Sequence, residues 1–197
     1  MDDAIPAIVA RRAVLLVMDY QPAILANVPD LDGLLKRAAE AIAVARGWGM
    51  KVGYVRIAFS DADYETAVAS NTRFAGQAAT RRMSDGTPET AVHPAVAPEP
   101  GDIAVRKTRV GAFSTTDLDR QLRESGIDTL VLAGVSTSGV VLSTVRDAAD
   151  HDYTLYVLED ACTDRDPDVH EVLMRKVFPR QATVISVADL PRLLGAR

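Results

Sequence analysis

Aromatic side chains are scarce in this chain, 5% of its 197 residues, so any core has to be built mainly from Val, Leu, Ile and Ala. Cysteine is all but missing. Cys162 stands alone, which excludes an intramolecular disulfide and a cysteine-based zinc centre and suits a reducing compartment. There is no excess of basic charge: 22 Lys and Arg face 27 Asp and Glu, a net charge of −5, which speaks against a general nucleic-acid binder. No apolar run approaches the length needed to span a membrane. The start, Met1-Asp2-Asp3, has neither the basic region nor the apolar stretch of a secretory leader, so the expected location is the cytoplasm. No GxGxxG or Walker-type run offers a phosphate cradle. The histidines His93, His151 and His170 are scattered, each expected to be a surface or capping residue, and neither a metal nor a cofactor is expected.

What is present has the composition of a globular protein, 48% apolar and 25% charged. With no repeat, low-complexity stretch or linker, one domain over residues 1–197 is expected. Ala13 to Met18 is a continuous apolar run, as in a strand buried on both faces. Leu31, Leu34, Leu35, Ala38, Ile42 and Ala45 then recur at helical spacing, with Asp30 as N-cap. Further strands are expected at 52–58, from Ile103, at 129–133, at 154–158 and at 183–187. Helices are expected after Ser114-Thr115-Thr116-Asp117, which resembles a capping box, after Gly134, and from Asp166-Pro167 to about 178. Residues 60–102 are polar and proline-rich, a long excursion with at most short helices, of the kind that often serves as a binding loop. Alternation of this sort predicts an α/β protein. It should have three layers, α/β/α, around a six-stranded, mostly parallel, Rossmann-like sheet.

Ligands of open α/β sheets sit beyond the carboxyl ends of the strands. The first strand ends in Asp19, followed by Gln21; such an acid serves either as a catalytic carboxylate or as a turn residue. The third runs into Arg106 and Lys107, either a solvated basic stretch or a cation facing Asp19. The fourth leads through Gly134-Val135-Ser136-Thr137-Ser138-Gly139-Val140 into a helix whose N–H groups suit an anion or a developing oxyanion. Arg56 lies inside the second strand and needs a partner, either an acid or a substrate carboxylate. Phe59, Phe74 and Phe113 are pocket walls or core.

Together these segments resemble the isochorismatase-like, or cysteine hydrolase, superfamily. Asp19-Tyr20-Gln21 is similar to its D-x-Q, Lys107 with Ala112-Phe113 to its lysine followed by A-F, and Gly134, Val135, Thr137, Val141 and Thr144 to its G-V-x-T-x-x-C-V-x-x-T. Asp160-Ala161-Cys162 with His170 resembles a later family segment, and the likeness spans about residues 12 to 190. It implies the isochorismatase-like hydrolase fold, a small-molecule substrate, a homo-oligomer (dimer or tetramer), and a cis peptide between Val135 and Ser136. It also implies an Asp–Lys–Cys triad, and there this chain departs. The position of the cysteine is Val140, which has no nucleophilic atom, and no histidine is evident to activate Ser136, Thr137 or Ser138 in its place.

Members of the family that hydrolyse vinyl ethers carry glycine at that position and use Asp as a general acid with water. Here Asp19 is expected to act as general acid or base, with Lys107 as electrostatic partner. Gln21, Arg56, Phe113, Ser136, Thr137, Ser138 and Gly139 are the expected substrate contacts. The alternative is an inactive member that binds a small ligand. The D-x-H metal motif of nicotinamidases is absent, Ser60-Asp61-Ala62-Asp63 standing at the comparable place.

Overall fold

In a computed structural model, residues 5–66 and 70–195 are described; Met1–Asp3, whose acidity argued against a leader, lie outside them. Six strands form one sheet in the order β3-β2-β1-β4-β5-β6, every neighbouring pair parallel. They are β1 (Ala13–Met18), β2 (Lys51–Ile57), β3 (Ile103–Lys107), β4 (Thr129–Val135), β5 (Thr154–Thr163) and β6 (Thr183–Ile185). All six residues of β1 are buried, as the unbroken apolar run requires of a central strand covered on both faces.

Alternate side chains of β1 feed two cores. Ala13, Leu15 and Val17 pack with Leu34, Ala38 and Ala41 of α2 (Leu31–Gly47). Val14, Leu16 and Met18 pack on the other face with Leu118 and Leu122 of α5 (Leu118–Glu124) and Val145 and Ala148 of α6 (Leu142–Asp150). This period of two produces the three layers. Asp30 caps α2 by accepting the Gly33 N–H.

Several boundaries differ from expectation. β5 runs to Thr163, well past its apolar stretch. Between Leu132 and Gly134, two residues of β4 match five of β5, so the extra residues bulge before pairing resumes at Cys162. The box at Ser114–Asp117 does not form; the Thr116 hydroxyl accepts the Leu118 N–H at 3.2 Å while donating to the Ala112 carbonyl. The helix begun at Asp166-Pro167 is α-helical only over α7 (Pro167–Val172), and then widens into a π-helical stretch over Leu173–Val177. The excursion after β2 holds α3 (Asp61–Glu65) and α4 (Thr72–Thr80). Phe59, Tyr64 and Phe74 anchor it through a third, separate apolar cluster.

Candidate active site

The strand order reverses between β1 and β4, which opens a crevice at their carboxyl ends. Asp19 is the first residue past β1. Its φ of 59° is left-handed, a conformation that Asp tolerates better than most residues, and its N–H donates to the Val55 carbonyl. The turn aims its carboxylate at Lys107, the last residue of β3, which reaches across β2 to meet it. Lys107 Nζ lies 2.8 Å from Asp19 Oδ2, and the side chains are 1% and 6% exposed. The ammonium also donates to the carbonyls of Arg109 at 3.1 Å and Val110 at 3.0 Å. All three of its N–H bonds are thereby committed, so it serves as a fixed charge and has no donor left for a ligand.

Opposite the pair stands the chain leaving β4. The peptide bond between Val135 and Ser136 is cis, where the resemblance implies it. Thr137–Val141 then form a π-helical turn that leads into α6. Val140 is buried at 2%.

The pair and the turn share a cavity of about 620 Å³, within the range that holds small ligands. Asp19, Lys107, Ser136, Ser138, Gly139 and Val140 all line it, so six of the expected site residues come together. The remaining four are not on its wall. Gln21 is fully buried, and its amide braces β2 and the excursion through the Ile57 N–H and the carbonyls of Ile57 and Thr90. Arg56 pairs with Asp85 at 2.7 Å, in a network that continues through Arg106 to Asp63; the acid partner is the one realised. Phe113 stacks on His151, 5.5 Å between centroids, away from the cleft. Thr137 is wholly buried, and its hydroxyl lies 2.8 Å from His170 Nδ1. A histidine therefore does meet this turn, but at a residue that has no access to the cavity. Phe59 and Phe74 pack in their own cluster, the core reading of each.

Other wall residues escaped the sequence reading. Gln77 and Thr80 on α4, with Arg82 and Met83 after it, roof the cavity, and Asp164 and Arg165 close its far side. The guanidinium groups of Arg82 and Arg165 have no ion-pair partner among the described residues. The buried Gln77 Oε1 accepts no hydrogen bond among them. Cys162 does not line the cavity, and burial pushes its thiol up to about 12, which leaves it inert as a nucleophile. No group of three or more potential metal ligands occurs among the described residues.

Comparison with known proteins shows the family and the fold. Residues 13–189 match the model of the Isochorismatase domain. The chain is 36% identical over 186 residues to the uncharacterized isochorismatase family protein YecD of Escherichia coli O157:H7, covering 92% of this chain and 95% of that one. It is 29% identical over 185 residues to maleamate amidohydrolase of Pseudomonas putida, covering 91% and 85%. Among solved structures, an isochorismatase family protein from Burkholderia thailandensis superposes with a TM-score of 0.83 at 28% identity, covering 98% and 100%.

Proposed function

The chain belongs to the isochorismatase family, and on that premise we propose that it is a small-molecule hydrolase in which water, rather than a side chain, attacks the substrate. The observation that carries this reading is the buried Asp19–Lys107 pair, facing across one cavity a turn that holds valine. A covalent acyl-enzyme at position 140 is impossible, because valine offers no atom to form it. Asp19, held as a carboxylate by its ammonium partner, accepts the proton of the attacking water and passes it to the leaving group. Lys107 stands 2.8 Å from Asp19 as its electrostatic partner.

Arg82 and Arg165 on the wall favour a substrate with a carboxylate, as maleamate in the related amidohydrolase has. Small carboxylate-bearing amides are therefore the panel to assay. Turnover is expected, with kcat/KM falling about 10²- to 10⁴-fold in Asp19→Asn; unchanged activity in that variant would defeat the assignment. Assembly into a dimer or tetramer of identical chains belongs to the same reading, and light scattering would check it.

Val140 favours one other reading, a protein that keeps the cavity for binding alone. No turnover over the panel, together with a ligand that raises the melting temperature, would select it.

A further inference from the structure

The segment that leaves β5 touches the β4–α6 turn at two consecutive residues. Asp164 Oδ2 accepts the Ser138 N–H at 2.7 Å, and its Oδ1 accepts the Arg165 N–H at 2.9 Å. Six residues on, His170 of α7 meets the Thr137 hydroxyl at 2.8 Å. Asp164 is 8% exposed and Thr137 is not exposed at all, so water competes poorly for either contact. The bond from the Ser138 N–H goes to a carboxylate, which makes it one of the stronger kind. It is the extension of β5 to Thr163, beyond its bulge, that brings Asp164 to the turn.

The turn needs such support. A π-helical turn is a rare winding that regular backbone bonding does not specify by itself. It is also closed tightly: a Cβ added at Gly139 would lie 2.7 Å from Ser136 Oγ. A shift at Thr137 or Ser138 therefore passes directly to Gly139 and Val140, which line the cavity.

We propose that Asp164 and His170 are positioning residues, a two-point clamp that fixes the β4–α6 turn and so holds the backbone at position 140 against the Asp19–Lys107 pair. The inference rests on the reading of this cleft as the reaction site. His170 acts as a hydrogen-bonding group and not as a charge. Burial holds its imidazole below the ordinary histidine value, against Asp164 just past β5, Glu159 in β5 and Glu171 from its own helix, with Arg175 acting in the same direction as burial. The neutral ring exchanges one hydrogen bond with the Thr137 hydroxyl whichever group donates.

The test places a reporter at the position under control. In Val140→Cys, the rate of alkylation by iodoacetamide reads the thiol's place relative to Lys107, and the parent chain, whose lone Cys162 is buried, serves as blank. The thiol should react about tenfold or more faster than free cysteine at neutral pH, and the excess should vanish in Lys107→Met. Asparagine and leucine are alike in shape and differ in hydrogen bonding. Adding His170→Asn should keep the rate within about threefold, whereas His170→Leu should lower it about tenfold or more. Asp164→Asn and Asp164→Leu should divide in the same way. If His170→Leu fails to fold, Thr137→Val removes the same bond from the other partner and should slow the thiol equally.

A fast, Lys107-dependent thiol that reacts alike in the asparagine, leucine and Thr137→Val variants would overturn the clamp and leave the site standing. A thiol of ordinary reactivity, indifferent to Lys107→Met, would overturn the reading of the site and the clamp with it.

Discussion

The three N–H bonds of Lys107 end on one carboxylate and two carbonyls, which makes the lysine part of the fold as much as of the site. Removing either charge of the pair strands the other in a buried place. Lys107→Met is expected to cost about 3–5 kcal/mol in urea unfolding, and most of that should return in the double variant with Asp19→Asn, which keeps the left-handed turn, because the cost lies in the unpaired charge. A double variant as unstable as the single one would show that the carbonyl contacts, and not the ion pair, dominate. At this scale the sequence was informative wherever a residue stood at a strand end. Asp19 and Lys107 are adjacent to apolar runs, and the Gly/Ser turn follows another. It was uninformative where several outcomes share one signature. Arg56 in a strand reads alike whether its partner is Asp85 or a substrate, and Gln21 next to a candidate catalytic acid gives no sign that its amide is spent on backbone.

Elements show the same division. β1 was legible to its ends because six buried apolar residues admit one interpretation. β5 was not, since Glu159 and Asp160 follow its apolar run and mimic a loop, while pairing with β4 resumes only beyond the bulge. Asp164 and Arg165 were therefore missed as wall residues. The excursion after β2 lacks periodicity, so nothing in it marked Gln77 or Arg82 as facing the cavity. What holds α4 there is local: Phe74 packs on Phe59 with centroids 6.1 Å apart, and the Arg109 guanidinium lies 4.9 Å from the Phe74 ring centre. This cluster is separate from the two cores that flank the sheet. Phe74→Ala should accordingly loosen α4 alone. Hydrogen exchange in Thr72–Thr80 is expected to accelerate while β1 and β4 keep their protection. Equal loss of protection in β1 would show that the roof and the core unfold as one unit.

For the whole molecule, acid should act in two steps. His170 is held below 6.5 in the fold, so the unfolded chain takes up that proton first. Its contribution is complete above pH 6.5 and is lost as pH falls from there toward the folded value. Asp85, lowered chiefly by its bond from Arg56, and Asp189, lowered by bonds from Ser186, are held below 3.8. So is Asp63, where burial pushes up but the bonds from Ser60 and Arg106 prevail. Their contribution is present above 3.8 and disappears as pH falls further. Melting temperature against pH should show both declines, and His170→Asn should erase the upper one; persistence of that upper decline would assign it elsewhere. The claim on which the rest depends is that water attacks the substrate directly, with Asp19 as the base. Single-turnover hydrolysis in ¹⁸O-labelled water, followed by mass spectrometry of product and protein, tests it most directly. One labelled oxygen is expected in the product of the first turnover, with a protein whose mass never changes. A first-turnover product without label, ¹⁸O in the peptide that carries Asp19, or a covalent adduct anywhere on the chain would contradict it.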